Sequence, residues 1–316
     1  MSSAQPASIT VDDFARITGL PRPDVPADLA RRIASADLRY QPLSPEEREQ
    51  VVADIQKKLA RHEFAVAGKA RQGVWEKAWA ERMQAYTQQA YAAESLVPAY
   101  HQRPDEIVRL DGEYVRACQP NLELRFSNLF RSWLFQQYLG PVDAVYEFGC
   151  GSGLNLLMLS EIYPDKHLIG LDWAAPSVEL VNLIAKTRHL NLKGQRFDFF
   201  APDDRLEFPP TSAVLTMCAL EQIGDQFELF LQHLLKKSPA LCVNMEPLCE
   251  LYEAGNLADD LALEYHTQRG YLGRYLSRLR ELAAAGQIEL IKIQRVRFGS
   301  LYHDGYSYVV WRPRKA

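Results

Sequence analysis

The stretch VYEFGCGSGLN, from Val145 to Asn155, places three glycines at alternate positions directly after a short apolar run. Gly149, Gly151 and Gly153 stand where a strand should turn into a helix, which is where open α/β sheets bind ligands. Glycine permits positive φ and lacks the Cβ that would keep a ligand away from the backbone. A tight turn without a ligand is the alternative, but three glycines in five residues are costly for a turn alone. The stretch therefore predicts a ligand-binding loop between a strand and a helix.

After Pro141 the chain alternates between short apolar runs and helical patterns. The apolar runs are AVYEFG, HLIGLDW, QRFDFF, SAVLTMCAL and ALCVNMEP, and the helical patterns include LNLLMLSEIY, APSVELVNLIAKTRHL and DQFELFLQHLLKK. This alternation predicts a mainly parallel sheet with helices on both faces. The last two runs, IELIKIQRVRFGS and YSYVVWRP, are joined only by LYHDG, which is too short for a helical crossover. We therefore expect them to form an antiparallel hairpin at the sheet edge.

Residues 1–140 show a different pattern. The segment LSPEEREQVVADIQKKLARH predicts a helix with Ser44 as N-cap and Pro45 at the first helical position. Two further helices are predicted in GVWEKAWAERMQAYTQQAYAAES and NLELRFSNLFRSWLFQQYLG. Because no strand pattern stands out, an α-helical N-terminal region (1–140) is expected to precede an α/β domain (141–316).

The composition limits the classes of partner and location. The 316 residues are 47% hydrophobic and carry a formal net charge of −4, with an isoelectric point of about 6.0. Such a chain can bury a full core but offers no bulk positive field for nucleic acid. Its five cysteines lack C-x-x-C spacing and are expected to be reduced. With no signal-like N-terminus and no stretch of about 18 apolar residues, a cytoplasmic protein without a membrane span is expected.

The glycine spacing argues against a nicotinamide dinucleotide. The fingerprint G-x-G-x-x-G needs its third glycine at the place of Leu154, whereas the order here is E-x-G-x-G-x-G. The closing hairpin also stands where a second mononucleotide-binding half would be expected. A nicotinamide oxidoreductase is therefore the weakest interpretation of this chain.

From Glu147 to Gly153 and onward, over about residues 140–316, the chain resembles class I S-adenosylmethionine-dependent methyltransferases. Its tail FGSLYHDGYSYVVWRP, with EYHTQRGYLGRYL, is similar to an uncharacterised bacterial subgroup. The resemblance implies an α/β fold with a Rossmann-like, mainly parallel seven-stranded sheet and a C-terminal antiparallel hairpin. It also implies S-adenosyl-L-methionine as cofactor, S-adenosyl-L-homocysteine as product and no metal.

The same resemblance implies a set of cofactor-binding residues. They are Glu147, Gly149, Gly151, Gly153 and Asn155 for the methionine end, Asp172 for the ribose hydroxyls, Asp198 for adenine, and Cys218, Ala219 and Leu220 for the adenosine pocket. Independently of the family, a carboxylate accepts two hydrogen bonds, which suits a vicinal diol facing Asp172. Trp173 and Phe199 can cover the faces of adenine, and aromatic faces favour a cationic sulfonium. For Asp172 and Asp198 the alternative is an N-cap of the next helix.

Methyl transfer from a sulfonium is an in-line displacement, so alignment is the main requirement and a base is optional. Glu246 after the fifth strand, Glu221 after the fourth strand and His303 near the C-terminus are the candidates for a catalytic role. Gln222 stands where many small-molecule members of the family have a histidine, which argues against histidine catalysis from that loop. The alternatives are a cap or ion pair for Glu246 and an exposed loop position for His303.

The segment RLDGEYVRACQPNLELRF precedes the α/β domain and supplies three more candidates. Tyr114, Arg116 and Arg125 could close over the cofactor, with an arginine taking its carboxylate in a bidentate pair. The alternative for each arginine is a solvated or ion-paired side chain.

These patterns predict a methyltransferase (EC 2.1.1) acting on oxygen or nitrogen of a small or carrier-borne molecule, with the helical region as lid and acceptor selector. A second hypothesis is a non-catalytic interaction or scaffold protein that keeps the cofactor fold. The stretch TMCALEQ replaces the Asn-Pro-Pro-Tyr or Asp-Pro-Pro-Tyr signature used on planar nitrogens, so no DNA partner is expected. Apolar faces on the N-terminal helices leave the oligomeric state open, a homodimer included.

Overall fold

The computed structural model of the chain describes residues 5–101 and 106–314. Within these ranges the strands and helices are, in chain order, β1 (Ala7–Ser8), α1 (Val11–Thr18), α2 (Ala27–Ser35), β2 (Arg39–Pro42), α3 (Pro45–Ala60), α4 (Gln72–Gln88), β3 (Ile107–Leu110), β4 (Glu113–Ala117), α5 (Leu122–Tyr138), β5 (Ala144–Phe148), α6 (Leu154–Ile162), β6 (His167–Asp172), α7 (Ala175–Arg188), β7 (Leu192–Arg196), β8 (Ser212–Met217), α8 (Glu228–Lys237), β9 (Leu241–Met245), α9 (Leu257–Arg269), α10 (Tyr275–Ala284), β10 (Ile288–Gln294), β11 (Phe298–Gly299) and β12 (Tyr308–Pro313). The strands form one sheet of seven and one of five. Among the described residues no helix is long and apolar enough to cross a lipid bilayer.

The seven-stranded sheet has the order β10-β12-β9-β8-β5-β6-β7. Strands β5 to β9 are parallel to one another, and β12 runs antiparallel to both β9 and β10. All five residues of β5 are buried, as expected for a central strand covered on both faces. The predicted Rossmann-like, mainly parallel sheet with a C-terminal antiparallel hairpin is therefore confirmed.

The connection inside the C-terminal hairpin is longer than the predicted LYHDG. β10 ends at Gln294 and β12 begins at Tyr308, and between them β11 leaves the large sheet. β11 pairs antiparallel with β3 of the smaller sheet, with Phe298 opposite Leu110. The run IELIKIQRVRFGS is thus two strands that belong to different sheets.

The smaller sheet, of order β1-β2-β4-β3-β11, corrects the expectation of a purely helical N-terminal region. β3 and β4 form a hairpin around Asp111 and Gly112, whose φ values of 53° and 87° are typical of a two-residue turn between antiparallel strands. The Asp-Gly dipeptide between IVRL and EYVRA was a usable signal for this hairpin. The other strands are too short to predict alone.

The predicted N-terminal helices are confirmed. α3 begins with a capping box in which the Glu47 N–H donates to the Ser44 hydroxyl (3.2 Å) and the Ser44 N–H donates to Glu47 (2.8 Å). α5 buries most of its length under the large sheet. Its Phe126 ring lies 5.1 Å from Phe14 of α1 and 3.9 Å from Phe298 of β11, which ties the two sheets together.

Helix α4 packs across α7 of the α/β part. The Tyr86 and Thr187 hydroxyls are 3.0 Å apart, and Nε of Arg188 donates to the Tyr86 hydroxyl at 3.2 Å. This contact sets the N-terminal half of α4 above the loop that follows β5. An N-terminal helix therefore reaches the ligand-binding edge of the large sheet.

Candidate functional site

A cavity of about 860 Å³ opens at the carboxyl ends of β5, β6 and β8, the edge at which parallel sheets bind ligands. The α/β part lines it with Glu147, Gly149, Cys150, Gly151, Ser152, Leu154, Asn155, Asp172, Trp173, Phe199, Met217, Cys218, Ala219, Gln222 and Ile223. The N-terminal part adds Trp75, Trp79, Pro98, Tyr100, His101 and Arg131. We call this space the nucleoside cavity, after the ligand predicted from the sequence. It brings together most of the predicted cofactor-binding residues.

The glycine loop exposes bare backbone to this cavity at two of its three glycines. Gly149, Gly151 and Gly153 have φ values of 71°, 53° and 75°, in the region that favours glycine. A Cβ on Gly149 would lie 2.5 Å from the Cβ of Ala219, and one on Gly151 would lie 2.8 Å from the Trp79 ring. Gly153 does not line the cavity and instead packs against α7, which is a structural reason for the third glycine.

Glu147 is a buried acid with one oxygen unpartnered. Its Oε1 accepts from Nδ2 of Asn155 at 2.6 Å, whereas Oε2 has no hydrogen-bond partner among the described residues. Burial raises the pKa of Glu147 to about 8, with Asn155 and Arg131 opposing the shift. A buried carboxyl oxygen of this kind needs a donor, and a ligand ammonium is a suitable one.

Arg131 is a cavity residue that the sequence interpretation missed. It lies on α5 and donates to Oδ1 of Asn155, to Oδ1 of Asn128 and to the carbonyl oxygen of Ser127. No carboxylate of the described residues forms an ion pair with it, although Glu147 is close enough to influence its pKa. An arginine inside the apolar run LFRSWLF was the available signal, since arginine is seldom buried without a partner.

Asp172 both caps a helix and lines the cavity. Its Oδ2 accepts from the Gly151 N–H at 3.0 Å and its Oδ1 from the Ala174 N–H at 2.9 Å, just before α7. Burial raises the pKa of Asp172, and these N–H donors oppose that shift. A carboxylate offers about four lone-pair positions, so a ligand hydroxyl can still donate to it. Asp172 can therefore cap α7 and accept from a ligand hydroxyl at the same time, so the two alternatives for this residue are compatible.

The remaining predicted nucleoside-binding residues divide into two groups. Trp173, Phe199, Cys218 and Ala219 line the cavity. Asp198 does not; its Oδ1 accepts from the Phe200 N–H at 2.9 Å, which caps the turn after β7. Leu220 is fully buried in the core below the cavity. Cys218 has a φ of 52°, an uncommon conformation for a non-glycine residue and one that is often found at binding sites.

The roof of the nucleoside cavity comes from the N-terminal part. Trp75 and Trp79 lie one helical turn apart on α4, with stacked rings 5.6 Å apart. Trp79 is buried against Gly151, and Tyr100 and His101 stand at the rim. The sequence pattern predicted the helix but not that this face covers the ligand-binding loop.

The three residues that were predicted to close over the cofactor, Tyr114, Arg116 and Arg125, do not line the nucleoside cavity. Tyr114 of β4 is buried in a separate hydrophobic cluster between α3 and α9. Arg116 pairs with Glu47 at 3.4 Å, on the surface. Arg125 donates to backbone carbonyls, including those of Asp37 and Pro120 at 2.7 Å each. The expectation placed them in a loop over the cofactor, but β4 turns the first two toward α3, so Arg131 is the arginine at the cavity.

A second, larger cavity of about 1640 Å³ adjoins the first. The two share Trp75, Tyr100, His101, Arg131, Asn155, Met217, Cys218 and Gln222. The second is otherwise lined by Phe64, Arg71, Ala99, Glu123, Ser127, Glu221, Met245, Tyr265, Arg269, Tyr271, Ser300, Tyr302, His303, Gly305 and Tyr306. We call it the aromatic cavity, since rings make up much of its wall.

Glu221 lines the aromatic cavity with a buried carboxyl. Its Oε1 accepts from Nε2 of Gln222 at 2.8 Å, and its Oε2 has no partner among the described residues. Burial raises the pKa of Glu221 to about 8, and the neighbouring Glu246 raises it further. A carboxyl that titrates near neutral pH can exchange a proton with a bound molecule.

His303 also lines the aromatic cavity, rather than an exposed loop surface. Its Nδ1 lies 3.1 Å from Nε2 of His266 in α9, so one of the two nitrogens donates to the other. Burial lowers the pKa of His303 well below its ordinary value, with His266 and Arg109 adding to the effect. The imidazole is therefore uncharged at neutral pH and can accept a hydrogen bond, but the lowered pKa makes it a weak base.

Glu246 is fully buried and lines neither cavity. Its carboxylate accepts from the N–H groups of Ala219 and Leu220 at 3.2 Å and of Glu221 at 3.4 Å. Burial raises the pKa of Glu246 to about 7, and these hydrogen bonds limit the rise. Glu246 therefore caps the 3₁₀ turn that carries Glu221, which agrees with the alternative that the sequence offered for this residue.

No protein-family model and no curated protein matches the chain. It is similar to the solved structure of an N,N-8-amino-8-demethyl-D-riboflavin dimethyltransferase, RosA, from Streptomyces davawensis, with 16% identity and a TM-score of 0.43. It is also similar to an O-methyltransferase, NcsB1, from neocarzinostatin biosynthesis, crystallised with S-adenosylmethionine and 2-hydroxy-5-methyl naphthoic acid, with 18% identity and a TM-score of 0.42. Each match covers 61% of this chain and 58% of the other, so the chain spans less than two thirds of their length. The methyltransferase domain of a bacterial CtHen1-C matches 60% of this chain over 97% of its own, with 13% identity and a TM-score of 0.45.

Proposed function

We propose that this protein is an S-adenosyl-L-methionine-dependent methyltransferase acting on oxygen or nitrogen of a small or carrier-borne molecule. One observation carries the proposal: the unpartnered Oε2 of Glu147 is buried beside bare glycine backbone. A buried acceptor of this kind is costly unless a ligand supplies its donor. The nucleoside cavity also lies at the carboxyl ends of parallel strands, the edge at which such sheets bind small molecules.

The lining residues fit the separate groups of S-adenosylmethionine. Glu147 would receive the α-ammonium, and Arg131 would pair with the α-carboxylate. Asp172 would accept from the ribose hydroxyls, and Trp173 and Phe199 would contact the adenine. When bound, this cofactor supplies a methyl group on a sulfonium and leaves as S-adenosyl-L-homocysteine.

The chain's own contribution is to shield, to align and to hold a proton. Trp75 and Trp79 cover the glycine loop and exclude water from it. The adjoining aromatic cavity would hold the acceptor beside the methyl group. Glu221 in its ionised form, whose share grows as the pH nears its pKa of about 8, and the uncharged His303 both line that cavity and are the candidates to take a proton from the acceptor.

Residues 1–140 would act as lid and acceptor selector for the domain formed by 141–316. The support is that α4 and α5 contribute Trp75, Trp79 and Arg131 to the walls. The same N-terminal region contributes to the walls that the two cavities share, so it would both cover the cofactor and select the acceptor.

The test is calorimetric titration of the full chain with S-adenosyl-L-methionine and S-adenosyl-L-homocysteine. We expect both to bind, and Asp172→Ala to weaken S-adenosyl-L-homocysteine by more than about tenfold, because a charged acceptor is lost. Asp165→Ala, at an exposed position before β6, is the control and should not change the affinity. Absence of binding of both compounds at high micromolar concentration would rule out the proposal.

The acceptor is sought separately. The protein is incubated with methyl-labelled S-adenosylmethionine and cell extract, and labelled products are found by mass spectrometry. Glu221→Gln and His303→Ala identify the proton acceptor, since the loss of the base lowers methyl transfer but leaves S-adenosyl-L-homocysteine affinity intact. Labelled product that is unaffected by either substitution would remove both residues from the catalytic role.

A further inference from the structure

The aromatic cavity contains cations without counter-ions. Arg71 and Arg269 line it but not the nucleoside cavity. Among the described residues neither arginine has a carboxylate partner within ion-pair distance, and Nε of each is buried without an acceptor. A half-buried guanidinium in this state gains free energy from an anion that reaches it.

Arg269 is fixed in place by aromatic rings instead of by an acid. Its guanidinium lies 4.6 Å from the centroid of Tyr271 and 5.9 Å from that of Tyr265. Its Nη2 donates to the Tyr271 hydroxyl at 2.6 Å. The rings orient the side chain, and among the described residues no carboxylate forms an ion pair with it, which is a suitable state for receiving a bidentate anion.

The two acids of the same cavity do not balance this charge. Burial raises the pKa of Glu221 to about 8 although Arg269 opposes the rise, so at neutral pH most of this carboxyl is protonated. Glu123 accepts from the Tyr306 hydroxyl at 2.9 Å. Since Arg131 is shared with the nucleoside cavity, Arg71 and Arg269 are left for the acceptor.

The rest of the wall is suited to a flat molecule. Phe64, Tyr265, Tyr302 and Tyr306 present rings, and Phe64 stands edge-on to Tyr265 and to Tyr302 at 4.9 and 5.1 Å. Tyr265 and Tyr302 are stacked at 4.9 Å. Aromatic walls of this kind favour an aromatic guest by offset and edge-on contacts.

We propose that the methyl acceptor is an aromatic carboxylate, whose carboxylate is bound by Arg269 and whose ring packs against the tyrosines of the aromatic cavity. The inference rests on the proposed function and gives its acceptor class. It makes Arg269 the residue that distinguishes a carboxylate from a neutral analogue of the same shape.

The test compares two probes that differ only in charge, 2-hydroxybenzoate and 2-hydroxybenzamide. Each is titrated into the full chain with saturating S-adenosyl-L-homocysteine, and binding is followed by calorimetry. We expect the benzoate to bind at least about tenfold more tightly than the amide, because a charge-assisted pair replaces a neutral contact. Arg269→Gln should remove that preference, Arg269→Lys should retain part of it, and the exposed Arg280→Gln should leave it unchanged.

The possible results decide the question. Equal affinity for the two probes, binding of neither probe, or a carboxylate preference that survives Arg269→Gln in a normally folded variant overturns the inference. Thermal denaturation of each variant shows whether it is folded. S-adenosyl-L-homocysteine affinity is measured in the same series: if it is normal while the probes fail, the acceptor class is wrong, and if it is absent in the unsubstituted chain, the proposed function is wrong.

Discussion

The ring of Trp79 lies directly against the backbone of Gly151. A Cβ on Gly151 would come within 2.8 Å of Cζ2 of that ring, closer than real Cβ atoms approach other groups. The residue that forms the floor of the nucleoside cavity and the residue that covers it are thus in contact. The N-terminal part and the α/β part build one site between them.

Gly151→Ala is expected to lower the free energy of unfolding by about 1–3 kcal/mol, because the new methyl group meets Trp79 and φ is 53°. It should also weaken S-adenosyl-L-homocysteine by more than about tenfold, by moving backbone that faces the ligand. Gly286→Ala is the matched control, with a φ of 72° and open space around its Cβ, and should cost about 1 kcal/mol or less. Urea denaturation and calorimetry measure both effects. Equal losses in the two variants would mean that contact with Trp79 is unimportant.

Binding of S-adenosyl-L-homocysteine should release a proton near pH 7. The pKa of Glu147 is about 8 in the ligand-free protein, so its carboxyl is mostly protonated there, whereas a ligand ammonium favours the ionised form. Affinity should therefore rise as the pH increases from 6 toward about 8 and level off above it. Calorimetry in buffers of different ionisation enthalpy measures the proton release. Glu147→Gln should abolish it, and release that persists in this variant would assign the titration to another group.

The stability of the ligand-free protein should fall as the pH rises above about 6.5. Glu147 and Glu221 have folded pKa values of about 8 and Glu246 of about 7, all above the ordinary glutamate value of 4.5. Between the unfolded and folded pKa values the folded state binds more protons at these glutamates, so they make the free energy of unfolding decrease with pH. The lowered pKa values of His266 and His303 act in the opposite direction below about pH 6.5, so denaturation at pH 6.5, 7, 7.5 and 8 tests this interval. Glu147→Gln should make the decline less steep, and a stability that increases across the interval would contradict the expected pKa directions.

Asp304→Asn should destabilise the protein by about 3–5 kcal/mol, the usual cost of breaking a buried ion pair on one side. Asp304 lies 3.2 Å from Nε of Arg109 and accepts from Nη2 of Arg295 at 2.8 Å, and it is buried. The control is Glu289→Gln, which removes an exposed pair with Arg312 and should cost about 0–1 kcal/mol. Chemical denaturation compares the two. A cost for Asp304→Asn as small as that of the control would show that this cluster is not stabilising.

The α/β part was predictable because its signals are local. The apolar run before Gly149, the acid at Asp172 and the lack of a helical pattern between the last two long runs each show in a short stretch of sequence. Strand pairing in a parallel sheet then follows from connection length and handedness. The ligand-binding edge, with Glu147 and Asp172 on it, therefore follows from the sequence.

The N-terminal contribution was not predictable in the same way, because its contacts are distant in sequence. That α4 covers the glycine loop depends on packing against α7, and nothing in the α4 pattern separates Trp75 and Trp79 from ordinary core residues. The same limit misplaced Tyr114 and Arg116, whose strand pairs with a partner far along the chain. By contrast, the Asp111-Gly112 turn was a local signal that should have predicted the β3–β4 hairpin.

The buried cluster around Arg109 also bears on how the chain is made. Arg109 finds its partner Asp259 150 residues later, and β3 gains its neighbour β11 only when Phe298–Gly299 has been synthesised. At typical rates of translation, roughly 10–30 s separate the two charges as they leave the ribosome. During that time the nascent N-terminal part has an open strand edge, which favours association with other chains or with chaperones. Its native core is therefore completed only after the C-terminal hairpin has been synthesised.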